Sequence, residues 1–317
     1  MEIDNSGANI FRRCPYEYYE SALKPTQEGL GLEPKPHGFE VSALDLGGRE
    51  HELLEEYYND LKGTPIQPYP ESLNEALEME AQLIITAYRA KYPQEEFEIV
   101  DVERPFRVAL PVYCPECYQK ITAPFPEGQL SVWCEFCNKL VYPGRHTHTG
   151  KIDVTFRIPG MGVLDIMDHK TEKRRSNSNR PQKWAARDQA SLYLWAAKAI
   201  YKPEEIGRFH VNVLKRPSEK FQEPPIFPDR QTLERTPEQI ETAVRDLVFI
   251  ADDIERYKRI FGDKITWPSN RENCDSGWGQ CDFYLPHTFG WSEEIRENRY
   301  QPKKPYLKLG GIPIIQP

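Results

Sequence analysis

Apolar positions recur along this chain with two periods, and each period predicts a different kind of element. Residues 236–257 repeat apolar side chains at helical spacing, behind Thr236, Pro237 and Gln239, which suit the N-cap, N1 and N3 positions of a helix. Further helices are predicted over 47–62, 72–91 and 183–201, with Ser72 and Glu75 capping the second. Stretches rich in β-branched and aromatic residues predict strands over 96–112, 150–158, 162–171 and 208–216. Residues 1–45 and the tail from Gly262 are predicted to be largely irregular.

The composition predicts a folded chain without a membrane-spanning segment. The 317 residues are 39% hydrophobic and 28% charged, and no apolar run approaches the roughly 18–20 residues that span a bilayer. The first residues lack an apolar signal-peptide core, so a cytoplasmic location in a bacterial or host cell is expected. The net charge of −8 argues against nucleic-acid binding over the whole surface, so any such function needs a local basic patch.

Two predicted strands carry the residues of a hydrolytic metal site. Asp168 and Lys170 alternate along one strand and share a face, and Asp153 lies on the preceding strand, one short turn away. Neighbouring antiparallel strands could bring the two carboxylates onto one Mg²⁺ or Mn²⁺ ion, with the backbone carbonyl of His169 as a further ligand. Such an ion activates water, and the lysine offsets developing negative charge. Taken alone, the same tripeptide also describes a surface salt bridge.

A second metal site is predicted from cysteine spacing. Cys114 and Cys117 form one Cys-x-x-Cys pair, and Cys134 and Cys137 form another after sixteen residues. Two such pairs can complete a tetrahedron of thiolates around a structural zinc ion, as in a zinc ribbon. The alternative is four reduced structural cysteines, which the polar loops between them disfavour. His146 and His148 follow the ribbon and are expected to be linker residues that could contact DNA.

Four short motifs together resemble the RecB-like branch of the PD-(D/E)xK nucleases. They are the glycine-to-histidine stretch Gly48–His51, the strand Gly150–Asp153, the strand Asp168–Thr171 and the helical pair Gln189 and Tyr193. The resemblance implies a nuclease site in which His51, Asp153 and Asp168 hold metal and Lys170, Gln189 and Tyr193 take part in catalysis. Glu103 lies where the family often carries a strand glutamate. The alternative interpretations are structural: His51 would be an ordinary packed residue on a helix, and Tyr193 would be a buried tyrosine that packs the helix on the sheet.

The remaining cysteines extend this resemblance to the chain ends. Relatives of the CRISPR-associated and AddB-type branches hold a [4Fe-4S] cluster through one N-terminal and three C-terminal cysteines. Cys14, Cys274 and Cys281 match that pattern, but His287 stands at the expected last cysteine. Three interpretations therefore stay open: a cluster held by three cysteines and a histidine, a different metal, or a lost cluster whose cysteines are ordinary core residues.

The loop after the D-x-K strand is basic and is predicted to contact phosphates without reading bases. An ordinary solvated loop is the alternative. Its DNA-contacting candidates are Lys173, Arg174, Arg175, Arg180 and Lys183.

These observations predict an α/β fold: a restriction-endonuclease-like core with a small central mixed sheet flanked by helices, plus an inserted zinc ribbon. The expected segments are the N-terminal helical part (1–104), the ribbon (105–149), the catalytic core (150–260) and a cysteine-containing segment with a basic tail (261–317). The expected activity is that of a metal-dependent DNA exonuclease of recombination, repair, replication, phage or CRISPR processing. Any helicase or recombination partner would be a separate protein, since no helicase motif occurs. The rivals are a catalytically silent DNA-binding or scaffold protein, and a zinc module that is itself the functional centre.

Overall fold

The chain folds into two compact units. The first unit comprises Met1–Lys35, Arg107–Gly150 and Glu241–Pro317, and the second comprises Pro36–Phe106 and Lys151–Ile240. The four segments expected from the sequence stay predictions. The computed structural model describes residues 1–23, 32–35, 43–72, 74–122, 129–172, 184–202, 205–217, 224–262, 267–270, 275–276, 279–281, 283–302 and 312–317.

Helices occupy both units. In chain order they are α1 (Asn5–Arg13), α2 (Pro15–Tyr18), a π-helical turn (Tyr19–Leu23), α3 (Ala43–Lys62), α4 (Glu75–Lys91), α5 (Gln189–Ile200), α6 (Pro237–Phe261), α7 (Tyr284–Phe289) and α8 (Glu293–Arg299). In the part of the chain that the structure describes, no helix combines the length and apolarity needed to cross a membrane.

A central mixed sheet contains six of the described strands. The strands are β1 (Glu2–Ile3), β2 (Leu32–Pro34), β3 (Glu98–Ala109), β4 (Val132–Cys134), β5 (Lys139–Val141), β6 (Thr147–Arg157), β7 (Leu164–Glu172), β8 (Ile206–Lys215), β9 (Gln231–Leu233), β10 (Asp275–Ser276), β11 (Gly279–Gln280) and β12 (Tyr300–Pro302). The order is β1-β6-β7-β8-β9, and β3 also pairs with β6. Strands β6 and β7 are antiparallel, whereas β7 and β8 are parallel. Helix α3 packs against β7 and α5 against β8, so the predicted mixed sheet with flanking helices is confirmed.

Strand β7 is buried along most of its length, and the core of the second unit packs against it. Leu54, Tyr58 and Tyr88 on the helices pack together with Val154 and Met167 of the sheet. A strand covered from both sides must satisfy its polar residues internally, because water cannot reach them. The acidic side chains of β7 accordingly have partners within the fold: Asp168 accepts from Lys170 and Gln189, and Asp165 accepts from Arg208.

Local signals predicted helix starts with mixed success. At α6 the capping box is confirmed: the Gln239 backbone N–H donates to Thr236 Oγ1 (3.3 Å), and the Thr236 N–H donates to Gln239 Oε1 (3.0 Å). At α4 the prediction was wrong, since Asn74 is the N-cap and its side chain accepts from the Leu77 N–H at 3.2 Å. Ser72 instead receives the Asn74 N–H on its hydroxyl, two residues earlier.

Two regions expected to be irregular contain helices. The N-terminal region forms α1, α2 and the π-helical turn, and Asp4 caps α1 by accepting the Gly7 N–H at 2.5 Å. The C-terminal tail forms α7 and α8. These helices are short, so they lack the long apolar repeat on which the sequence-based prediction depended.

Candidate active site and metal centres

Three elements of the second unit bring a histidine and two carboxylates together. His51 comes from α3, Glu103 from β3 and Asp153 from β6. His51 Nδ1 lies 3.1 Å from Glu103 Oε1 and 3.7 Å from Asp153 Oδ2. One potential ligand atom from each residue lies within 4.8 Å of the other two. We call these three residues the His51 cluster.

A second set of side chains centres on Asp168 of β7. Lys170 Nζ donates to Asp168 Oδ1 at 2.9 Å and lies 2.7 Å from Oδ2. Gln189, the first residue of α5, donates its amide N–H to the same Oδ1 at 2.9 Å. The β6–β7 register sets Val154 opposite Met167, so Asp153 and Asp168 follow as the next facing positions. The predicted grouping of Asp168, Lys170 and Gln189 is therefore present in the fold.

The His51 cluster crowds buried carboxylates together, and a positive charge, either a proton on His51 or a bound cation, offsets their repulsion. Burial raises the pKa of Asp153 to about 7, and the Glu103 and Asp168 carboxylates add to the rise while His51 opposes it. Burial acts to lower the pKa of His51, but the carboxylates of Asp153 and Glu103 outweigh it and raise that pKa to about 9. Buried carboxylates beside an imidazole form a donor set that suits Mg²⁺ or Mn²⁺, so these residues fit a divalent metal.

Two further residues, Lys151 and Glu50, support this site through contacts with Glu103 and beside His51. Glu103 has φ +48° within a strand, an uncommon conformation for a non-glycine residue, and it forms an ion pair with Lys151. Lys151 alternates with Asp153 along β6, so strand periodicity could have identified it. Glu50 is buried beside His51 on α3 and accepts a hydrogen bond from Thr171. Burial raises the pKa of Glu50 to about 7, and the Thr171 bond opposes that rise.

Two predicted site residues, Tyr193 and His169, make ring-packing contacts through their side chains. The Tyr193 ring packs edge-on against Phe106 and Phe209, with centroids 5.8 and 6.2 Å away. The His169 ring stacks on Tyr58 at 5.4 Å, while its backbone N–H donates to Asp153 Oδ2 at 2.7 Å. Catalysis by Tyr193 and metal ligation by the His169 carbonyl stay predictions.

The four paired cysteines of the first unit converge around one point. Cys114 Sγ lies 3.7 Å from Cys137 Sγ, and Cys117 Sγ lies 3.5 Å from Cys134 Sγ. Thiolates on a tetrahedral zinc ion, with Zn–S bonds of about 2.3 Å, would be about 3.8 Å apart, whereas a disulfide would hold its sulfurs at about 2 Å. These cysteines therefore fit one tetrahedral metal ion, and the β4–β5 hairpin presents the second pair.

The chain ends meet in a separate buried cluster of the first unit. Cys14, Phe283 and Tyr300 pack together there with the partly buried Cys281. The His287 ring stacks on Tyr16 with centroids 5.0 Å apart. Cys274 lies outside the described residues. Within the described ranges, the ligand atoms of Cys14, Cys281 and His287 do not all lie within the 4.8 Å that suits a single metal ion.

Other predicted contacts are either corrected or lie outside the described residues. His146 and His148 are buried, so the expectation that they are linker residues was wrong. His146 Nε2 lies 2.8 Å from Asp252 Oδ1 and His148 Nδ1 lies 3.2 Å from the Ile3 carbonyl, all within the first unit. The remaining set, the basic DNA-contacting candidates, lies wholly outside the described residues: Lys173, Arg174, Arg175, Arg180 and Lys183.

Comparison with solved structures gives similarity at low identity. A candidate exonuclease from Eubacterium rectale matches with a TM-score of 0.43 and 15% identity, over 92% of this chain and 94% of that protein. The protein SSO0001 matches with a TM-score of 0.30 and 12% identity, over 70% of this chain and 78% of its own. Curated protein sequences give no significant match. The sequence profile of the PD-(D/E)XK nuclease superfamily matches residues 5–283, which is most of the chain. This protein belongs to the PD-(D/E)XK nuclease superfamily.

Proposed function

We propose that this protein is a metal-dependent DNA exonuclease of the RecB-like branch. The observation that carries the proposal is the His51 cluster, whose ligand atoms lie within 4.8 Å of one another. Superfamily membership supports phosphodiester hydrolysis as the reaction class. DNA as the substrate, attack from an end, and action in recombination, repair, replication, phage or CRISPR processing belong to the proposal. So do a cytoplasmic location and a separate helicase or recombination partner.

Each side chain has a distinct part in the proposed reaction. His51, Glu103, Asp153 and Asp168 would hold Mg²⁺ or Mn²⁺, which supplies Lewis acidity to the phosphate and acidifies water. Lys170 carries an ammonium group 2.7 Å from Asp168, where it would offset charge that develops on the phosphate. Gln189 holds Asp168 Oδ1, so that carboxylate keeps one orientation.

The other metals are proposed in supporting roles. Zinc on Cys114, Cys117, Cys134 and Cys137 would be structural, because four thiolates close its coordination sphere. An iron–sulfur cluster on Cys14, Cys274, Cys281 and His287 would join the two chain ends; the shared packing of Cys14 and Cys281 supports this proposal. Absorbance near 400 nm in an anaerobic preparation tests the cluster, and a colourless protein would contradict it.

The function is tested with labelled nucleic acids. End-labelled linear DNA, closed circular DNA and linear RNA are incubated with Mg²⁺, Mn²⁺ or EDTA, beside Asp168→Ala and Lys170→Ala. Asp253→Asn is the matched control, because that carboxylate is 51% exposed and pairs only with Arg256 among the described contacts.

Metal-dependent loss of linear DNA alone, abolished by both site variants but not by the control, is the expected result. Cleavage of circles would keep the site and make the enzyme an endonuclease, and cleavage of RNA alone would refute the DNA assignment. A wild type that is inert on every substrate, yet binds DNA as well as the variants do, would favour a silent nuclease-fold binding protein.

A further inference from the structure

Next to His169 of β7, the second unit contains a continuous chain of hydrogen-bonded polar side chains. Its middle is the pair Tyr58 and Tyr88, whose hydroxyl oxygens lie 2.8 Å apart. One end is an ion pair between Arg230 and Glu95, and the other end is the amide of Asn212 against the ring of His169. We call the six the tyrosine network: Tyr58, Tyr88, Glu95, His169, Asn212 and Arg230.

The donor and acceptor of each hydrogen bond along this network can be assigned. Asn212 Nδ2 lies 2.8 Å from His169 Nδ1 and donates to the Tyr88 hydroxyl at 2.9 Å, which uses both amide hydrogens. The Tyr58 hydroxyl donates to Glu95 at 3.0 Å, so the proton between the two tyrosines must come from Tyr88.

The charged end is well anchored. Arg230 donates to Glu95 at 2.7 and 2.6 Å and to the Tyr88 hydroxyl at 2.8 Å. Its guanidinium also lies over the Tyr92 ring, 4.3 Å from the centroid. Arg230 and Glu95 are only 17% and 5% exposed, so the pair is screened little by solvent. The hydroxyls of Tyr58 and Tyr88 therefore have fixed partners at this end of the network, and these contacts restrict where Asn212 and His169 can lie at the other end.

The opposite end touches the proposed metal site in two places. The His169 ring stacks on Tyr58 and meets His51 edge-on, with centroids 6.0 Å apart. The backbone N–H of His169 holds Asp153 Oδ2 at 2.7 Å. Because Tyr58 and His51 are seven residues apart on α3, they lie on the same helix face. His169 thus contacts both proposed ligands, His51 through its ring and Asp153 through its backbone N–H.

We propose that Tyr88, Asn212 and His169 are positioning residues that hold His51 and Asp153 in a cation-binding arrangement before the cation arrives. Partners behind the ligands of a metal commonly set its affinity, because they fix ligand orientation. The inference rests on the proposed function and adds side chains to which that function assigns no role. A network that served only the core would change stability without changing the affinity for a cation.

The test compares two tyrosines that pack in the same core. Tyr88→Phe removes the hydroxyl that joins Asn212, Arg230 and Tyr58, and it retains the ring contacts with Tyr57, Tyr92 and Phe227. Tyr57→Phe is the control, because its hydroxyl donates to the Tyr92 carbonyl outside the network. Mn²⁺ binding is measured by electron paramagnetic resonance without DNA, together with the thermal midpoint and the dependence of cleavage on Mn²⁺ concentration.

The expected result is a Mn²⁺ dissociation constant raised about tenfold in Tyr88→Phe and unchanged in Tyr57→Phe. Cleavage at saturating Mn²⁺ should stay near the wild-type rate. Equal affinities in the two variants, with only the thermal midpoint lowered, would overturn the inference and leave the proposed function standing. A wild type that neither binds Mn²⁺ nor cleaves DNA would overturn both. If Tyr88→Phe does not fold, Tyr58→Phe takes its place, because it removes the hydroxyl that donates to Glu95 and keeps the ring stacked on His169.

Discussion

The cysteine cluster and the His51 cluster are assembled from very different lengths of chain. Cys114 through Cys137 lie within one short stretch, and the β4–β5 hairpin carries the second pair. His51, Glu103 and Asp153 come from a helix and two strands spread over about a hundred residues. The comparison shows that a local metal motif can be read from spacing alone, whereas a dispersed site needs the sheet to bring its parts together. The predictions below test this contrast between local and tertiary construction, from the largest effect to the smallest.

Loss of the cysteine cluster should unfold a local part of the first unit. Cys134→Ser removes one thiolate, and structural zinc contributes on the order of 10 kcal/mol to small zinc-binding modules. We expect the zinc content to fall by one ion per chain and amide exchange to accelerate within residues 113–145. Cleavage should still respond to Mg²⁺ or Mn²⁺.

Metal analysis and hydrogen exchange measure this outcome, with zinc chelation of the wild type as a parallel treatment. If removal of zinc abolished catalysis while exchange in 113–145 stayed slow, the cysteine cluster would be the functional centre rather than a structural one.

Neutralising a carboxylate of the His51 cluster should have opposite effects on activity and stability. Asp153→Asn should lower the cleavage rate on the order of a thousandfold, since it removes a proposed metal ligand. Without metal, the same change should raise the thermal midpoint, because the buried Asp153 carboxylate lies against Glu103 and Asp168.

Cleavage kinetics and calorimetry in EDTA check both halves, with Asp253→Asn as the exposed control. A lowered midpoint without metal would mean that the carboxylate stabilises the fold. The cluster would then be a structural ion-pair network.

His148 should make the first unit sensitive to acid. Burial lowers its pKa from 6.5 to about 4, so between these values the unfolded chain takes a proton that the folded chain refuses. The free energy of unfolding should therefore fall as pH drops from 6.5 to 4, by roughly 3 kcal/mol at about 1.4 kcal/mol per pKa unit.

Urea unfolding at several pH values, in the wild type and in His148→Gln, measures this dependence. The variant should show a flatter profile through the same window, because glutamine does not titrate. Parallel profiles for the two proteins would assign the acid sensitivity to other groups.

Removal of the α6 capping box should have the smallest effect on stability, because the box acts only on the first turn of one helix. Thr236→Ala should lower the free energy of unfolding by about 1 kcal/mol, because Oγ1 no longer accepts the Gln239 N–H. Thr242→Ala, at an exposed interior position of the same helix, should instead stabilise slightly, since alanine is the better helix former. Chemical denaturation measures the free energy of unfolding of both variants. Equal changes in the two variants would show that the Thr236 cap does not stabilise the helix.

The sequence by itself determined the parts of this protein that depend on neighbouring residues. Strand alternation identified β3, β6, β7 and β8, and the Thr236–Gln239 spacing identified the start of α6. Cysteine spacing identified the Cys114–Cys137 module, since two tight knuckles converge whatever the rest of the fold does. These features share a cause. Their interactions form between residues that are close in sequence, so the local pattern of residues is enough to predict them.

Only the tertiary structure decided the remainder. Nothing near Glu103 in sequence shows that it meets His51, and nothing near Asn212 shows that it meets His169 and Tyr88. The burial of His146 and His148 likewise follows from packing within the first unit rather than from their position after the cysteines. Such contacts form because a sheet buried on both faces must satisfy each enclosed polar group with whichever partner the topology brings into reach.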